Sequence, residues 1–186
     1  MKKIIVLIAF IAGIATSGYS QFIKQGTVIG GGSFEFKSHK DNNSDYKQSG
    51  LSLMPWAGFM VIDNFAVGGI FDISTGTAKS GGSKTTTTDI MVGPFARYYL
   101  DNGLFAHGQF TVGSRKYESG SFNQKSSLNE LRIGAGYAIR ITDTVLLEPI
   151  LGYLSQSQKD KDTDVKSTES GFFFMGGFTI FINSTN

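Results

Sequence analysis

Glu130-Leu131-Arg132-Ile133-Gly134-Ala135-Gly136-Tyr137-Ala138-Ile139-Arg140-Ile141 decides the fold. Leu131, Ile133, Ala135, Tyr137, Ile139 and Ile141 fall on one parity, and Glu130, Arg132, Gly134, Gly136, Ala138 and Arg140 on the other. Successive side chains of a strand point to opposite faces, so the stretch is a strand with one apolar face and one face of charge and glycine. Two further stretches repeat the division. Ile90, Val92, Pro94, Ala96, Tyr98 and Leu100 oppose Asp89, Met91, Gly93, Phe95, Arg97 and Tyr99, while Val145, Leu147, Pro149, Leu151 and Tyr153 oppose Glu148, Ile150 and Gly152.

Working outward, alternation predicts strands near 26–38, 47–61, 65–77, 86–100, 103–117, 126–141, 144–158 and 168–183. Ile62-Asp63-Asn64, Asp101-Asn102-Gly103 and Thr142-Asp143 are tight turns, because Asn, Asp and Gly accept the left-handed backbone such turns require. The connections at 38–47, 78–85, 118–125 and 159–167 are longer and polar. Short and long connections therefore alternate. This is the pattern of an all-β, eight-stranded antiparallel up-and-down transmembrane β-barrel, with short turns in the periplasm and long loops outside.

A soluble barrel turned inside out would show the same periodicity. Three features favour lipid outside. The charged parity is rich in glycine and carries both signs, as a narrow packed lumen requires. Phe65, Tyr98, Tyr137, Tyr153 and Phe178 lie near strand ends on the apolar parity, as an interfacial girdle does. Pro55, Pro94 and Pro149 share that parity, and because proline lacks a ladder donor, bulges or gaps are expected beside them.

Residues 1–20 read as a signal peptide: Lys2 and Lys3 precede the apolar run Ile4 to Ile14, and Gly18 and Ser20 precede a cut that would leave Gln21 first. Residues 21–186 would form the barrel domain. Removing Lys2 and Lys3 brings the 17 Lys plus Arg level with the 15 Asp plus Glu, which leaves no electrostatic support for a nucleic-acid partner. The chain has no cysteine, so no disulfide or lipid anchor on cysteine is available. Gly177 followed by Ile180 and Ile182 is a partial match to the C-terminal signal read by barrel-assembly machinery, the expected partner in biogenesis.

Four segments together resemble the small outer-membrane β-barrel domains of Gram-negative bacteria, of OmpA and OmpX type. They are Pro55 to Gly68, Gly93 to Leu100, Gly134 to Tyr137, and Leu147 to Tyr153. The resemblance implies eight strands and an outer-membrane location. It implies no single activity, since such barrels range from structural and adhesive proteins to a few lipid-modifying enzymes.

The ionisable residues expected inside are Glu35, Lys37, Asp72, Asp89, Arg97, His107, Arg115, Glu130, Arg132, Arg140 and Glu148. An eight-stranded barrel is just wide enough for side chains to fill, so these groups should pair into a salt-bridged plug, with a narrow polar pore as the alternative. An enzyme would need a histidine beside a nucleophile at the outer rim, where His39 lies near Ser38, Asp41 and Ser44; no catalytic role is assigned to it. Two distant histidines give no metal-ligand spacing, and Asp160, Asp162 and Asp164 lack the glycine and terminal glutamate of an EF-hand loop. Gly30-Gly31-Gly32 lacks the Lys-Ser/Thr of a phosphate loop and reads as close packing, and Asn183-Ser184-Thr185 matches a glycosylation triplet at chance level. No cofactor is expected. A monomer is expected, contacting outer-membrane lipid, with the outer loops available to an extracellular partner. Thr85 to Thr88 favour extension of the second long hairpin above the membrane, where an exposed edge of it or of the fourth could pair with a foreign strand.

Overall fold

The computed structural model describes residues 23–40, 47–80, 82–120, 122–160 and 164–183. The expected signal peptide, Asp41, Ser44 and Asp162 lie outside these, as do Ser184 and Thr185. The strands are β1 (Val28–Lys40), β2 (Lys47–Ile62), β3 (Phe65–Ser80), β4 (Ser83–Tyr99), β5 (Leu104–Ser119), β6 (Phe122–Tyr137), β7 (Ile139–Arg140), β8 (Val145–Asp160) and β9 (Lys166–Asn183). All pairings are antiparallel, and because β6 pairs with β8, β8 with β9 and β9 with β1, the sheet closes on itself.

Nine strands make eight staves. The stretch that opened the reading, expected as one strand over 126–141, is β6 and β7 in line, both paired with β8 in one unshifted register. The interruption falls at Tyr137 and Ala138, across from Pro149 and Glu148. Proline has no N–H to donate to Tyr137 there, while on the other side of the strand the Ala138 N–H continues the pairing with β5 at the Gly103 carbonyl, 2.7 Å away. Pro55 and Pro94 do the same. The β2–β3 pairing skips from Leu53↔Ile73 to Trp56↔Ile70, and the β4–β5 pairing from Val92↔Val112 to Phe95↔Gln109. On the intact side each proline faces a glycine: Gly32, Gly69 and Gly176 respectively. The gaps expected beside proline are thus present three times without a shift of register.

The stagger around the ring fixes the bore. Stepping from Gly176 through Phe34, Leu53, Ile73, Ile90, Ser114, Ser127 and Lys159 returns to β9 at Lys166, ten residues from the start. With strands about 4.8 Å apart and a rise of about 3.3 Å per residue, eight staves at that stagger tilt by roughly 40° and enclose a radius of about 8 Å. Side chains can fill that width.

Parity holds throughout. Phe34, Leu53, Phe71, Ile90, Phe110, Ile133, Leu151 and Phe178 lie on the exposed outer face, while Met54, Met91, Phe95, Arg97 and Glu148 are buried inside. Of the expected girdle, Tyr98, Tyr153 and Phe178 are exposed, and Phe65 and Tyr137 are half-buried. The short turns use the predicted chemistry, with Asn64 at φ 64° and Gly103 at φ 84°. Before β1, Ile23 and Asn64 exchange hydrogen bonds at that end, folding the segment back against the mouth.

The other end differs from expectation. Strand pairing enters all four of the long connections, running to Lys40↔Lys47, Ser80↔Ser83, Ser119↔Phe122 and Lys159↔Lys166. Staves of this length exceed the roughly 9–11 residues needed to span a bilayer, so the hairpins stand above it. His39, expected in a loop, has its backbone in β1 opposite Gln48.

Candidate functional site: the barrel lumen

Inward parity brings the charged side chains of six staves into tiers, each built on an arginine. In the lowest, Arg97 from β4 meets Glu148 from β8 at 2.6 Å, with side chains 2% and 0% exposed. Glu148 also accepts from the Tyr99 hydroxyl at 2.9 Å and from Thr179 at 2.6 Å. The Arg97 Nε donates to His107 Nδ1 at 3.1 Å, and His107 Nε2 reaches the Gln109 amide oxygen at 3.0 Å. Arg97 lies 4.4 Å from the Trp56 ring centroid, so its flat guanidinium is covered by an aromatic face as well as paired.

The middle tier places Arg132 against Glu130 at 2.6 Å, Asp72 at 3.8 Å and Glu35 at 3.9 Å. Ser52 donates to Asp72 at 2.9 Å. Above it, Arg115 grips Asp89 through two nitrogens, both at 2.7 Å, the bidentate geometry a guanidinium allows. Gln156 joins these tiers, accepting from Arg115 at 3.0 Å and donating to Glu130 at 3.1 Å.

Nine of the eleven ionisable residues expected inside, Glu35, Asp72, Asp89, Arg97, His107, Arg115, Glu130, Arg132 and Glu148, lie in these tiers. Arg140 does not. It sits in β7 past the proline break, where the wall reaches the short-turn mouth, and it is exposed and 3.5 Å from Asp143. Parity alone gave its direction and not its depth. Lys37 stands opposite Gly50 in β1 near the outer end. Asp160, read as part of a solvated acidic run, is buried and accepts from Gln124. Asp164 pairs with Lys159 at 2.8 Å.

Three features escaped the sequence reading. Tyr99, Thr179, Gln109 and Gln156 complete the network, and their only signal was inward parity. The lumen is also far less polar than its charges suggested, since Met54, Trp56, Met60, Phe95, Phe105, Ile150, Phe173 and Met175 pack among the arginines. Inward glycines make the sockets for these rings. A Cβ on Gly31 would lie 2.6 Å from Trp56, and one on Gly68 2.6 Å from Phe95. Finally, two cavities flank the buried layer. A cavity of about 360 Å³ toward the long hairpins is lined by Glu35, Asp72, Asp89, Arg115, Arg132 and Glu169, among others. One of about 600 Å³ at the other mouth is lined by Ile23, Tyr99, Tyr137, Arg140 and Leu146, among others. Among the described residues no group of three or more His, Cys, Asp or Glu is placed to hold a metal.

A closed antiparallel sheet with an apolar exterior and ion pairs inside defines a transmembrane β-barrel. The chain belongs to the outer membrane protein beta-barrel domain family, whose model matches residues 50–186, and its place is the outer membrane. Among solved structures it is similar to the beta domain of the Bordetella autotransporter BrkA, with a TM-score of 0.56 at 13% identity over 82% of this chain and 70% of that one. It is also similar to the translocator domain of the autotransporter NalP from Neisseria meningitidis, with a TM-score of 0.50 at 14% identity over 92% and 67%. At such identities the likeness shows the fold alone. Comparison with curated protein sequences finds no match.

Proposed function

We propose that this is a monomeric barrel closed to solutes, with a structural and surface-interaction role exercised through its outer hairpins, one of which offers an open strand edge. The plugged lumen is supported by the Arg97–Glu148 tier and the rings packed around it, which lie between the two cavities. Surface interaction rests on a single observation. Pairing of β1 with β9 stops at Phe34↔Gly176, yet β9 runs on outward to Lys166. Its outer portion is held by β8 on one side only, and the flanking Phe172 is 85% exposed. An edge with free backbone donors and acceptors is a template for an extended peptide, and membrane barrels ordinarily have none. The second hairpin, also expected to offer an edge, is covered on both sides, by β2 up to Lys47↔Lys79 and by β5 up to Thr85↔Ser119.

A catalytic role is not part of this reading: His107 is buried against Arg97 and Gln109, away from either surface. Two measurements test the proposal. Planar-bilayer recordings should show no stable channels of porin size; such channels would refute closure. A fluorescent peptide carrying residues 33–40, the neighbour that the register assigns to the open edge, should bind the detergent-solubilised barrel saturably. Ser170→Pro with Phe172→Pro, which removes two N–H donors from the open side of that stretch and none of its bonds to β8, should weaken that binding, whereas Lys159→Gln with Lys166→Gln should keep it. Equal binding by the folded proline variant would refute the edge.

A further inference from the structure

Three arginines and eight lysines of this barrel divide by position. Arg97, Arg115 and Arg132 lie in the lumen. Eight lysines instead occupy the outer hairpins, one on each stave, as cross-strand pairs: Lys40↔Lys47, Lys79↔Lys84, Lys116↔Lys125 and Lys159↔Lys166. Lys47 also stands opposite Lys79, linking the first two hairpins. Every one of the eight has the parity of the lipid-facing residues below it. Lys79 continues the row Phe71, Ile73, Thr75, Thr77, and Lys166 the row Phe174, Phe172, Ser170, Thr168. All described side chains of the set, Lys47, Lys79, Lys84, Lys116, Lys125, Lys159 and Lys166, are exposed.

Like charges directly opposite on a sheet repel, so four such pairs are a cost to the isolated hairpins. Internal counter-ions relieve little of it. Lys116 meets Glu118 at 2.6 Å and Lys159 meets Asp164 at 2.8 Å, while among the described residues Lys47, Lys79, Lys84, Lys125 and Lys166 make no ion pair. On each stave one or two outward Ser, Thr or Asn separate the last apolar residue from the lysine. That spacing sets the ammonium groups about 10–15 Å above the hydrocarbon edge at the strand rise and the tilt derived above. A band of lysines about 9 Å tall at the tilt derived above, with one lysine on every stave, continuous with the lipid face and open to all sides, matches a surrounding layer of anions better than one docked protein.

We propose that this lysine collar binds the phosphate groups of the outer-leaflet glycolipid, seating the barrel at a fixed depth. Lysine suits the task, because a point charge on a flexible stem can follow phosphates that have no fixed geometry, whereas the lumen needs the planar fork of arginine. Basic residues near an anionic leaflet add attraction one by one, and the ring makes the contact multivalent.

The test uses the mature barrel refolded in zwitterionic detergent and titrated with lipopolysaccharide, or with the same material enzymatically dephosphorylated, with binding read by native-gel shift. The combined variant K79Q/K84Q/K125Q/K166Q, at positions without an ion pair, should bind phosphorylated lipopolysaccharide more weakly by about tenfold or more, given the additive pull of each charge. The difference should shrink in high salt. The matching Lys→Arg variant should bind as the parent does, and heat-dependent mobility confirms that both have folded. Should the Gln variant fail to fold, the parent still decides, since it should prefer the phosphorylated ligand. Equal binding of dephosphorylated material, unchanged binding by a folded Gln variant, or displacement by inorganic phosphate at matched phosphate concentration would overturn the proposal; the last would mean discrete anion sites and no lipid surface.

Discussion

Replacing Glu148 by alanine should be among the most damaging single changes in this barrel. The carboxylate is wholly buried, 2.6 Å from Arg97, and accepts from Tyr99 and Thr179 as well. At 2.6 Å and an effective dielectric near 20, the charge pair alone interacts by roughly 6 kcal/mol. Part of that offsets the desolvation of both ions, and removing one partner from a buried pair leaves a net loss of about 3–5 kcal/mol because the survivor is stranded. His107 offers Arg97 only a neutral nitrogen, and the Trp56 face cannot replace a full negative charge. Removing both charges is a different perturbation. Arg97→Met with Glu148→Leu leaves no stranded ion, and a pair replaced by apolar side chains of similar volume is often neutral or better. Trp56, the sole tryptophan, sits against Arg97, so its fluorescence reports unfolding at the site itself. Urea titration of the folded barrel in phospholipid vesicles would give both stabilities. A loss below about 1 kcal/mol for Glu148→Ala, the worth of an exposed pair, would mean that water reaches Arg97 and that the layer between the cavities is not sealed.

Two changes on the wall test its other assignments. Ala135→Arg places a charge on the lipid face and should cost about 2–4 kcal/mol in the same titration; tolerance would mean the parity is inverted. Gly68→Ala pushes a methyl group toward Phe95 and the neighbouring backbone, and should cost about 1–3 kcal/mol as overpacking does. Gly108→Ala, where a Cβ meets nothing within 4 Å, should be mild; equal costs would show that the glycines do not serve as sockets for rings. Gly134→Ser is no mild control for Ala135→Arg, despite its polar parity, because a Cβ there would lie 2.8 Å from the Leu151 carbonyl oxygen.

Much of this architecture is local and therefore legible in the chain. The two faces of each strand follow from covalent geometry, so Leu131 and Arg132 part company whatever the rest of the protein does. Asn64 and Gly103 announce their turns because few other residues accept positive φ. The prolines announce missing donors, and the three ladder gaps lie beside them. Depth was harder to read. Arg140 shares the parity of Arg132 and Glu130, but its place at the mouth depends on where the wall ends, which alternation does not encode. The apolar residues among the ion pairs were visible as inward Met and Phe, but nothing local said that Gly58, Gly68 and Phe95, on three different strands, share one space.

The sequence by itself determined that this protein is a membrane barrel, which face meets lipid and which end carries the long hairpins, since each depends on neighbours one or two residues apart. Register, stagger and closure were decided only by the tertiary structure, because they join strands as distant in the chain as Phe34 and Gly176. Closure put Arg97 against Glu148, stopped the β1–β9 ladder partway up the wall, and gathered eight lysines scattered through the sequence into one collar around the outer hairpins.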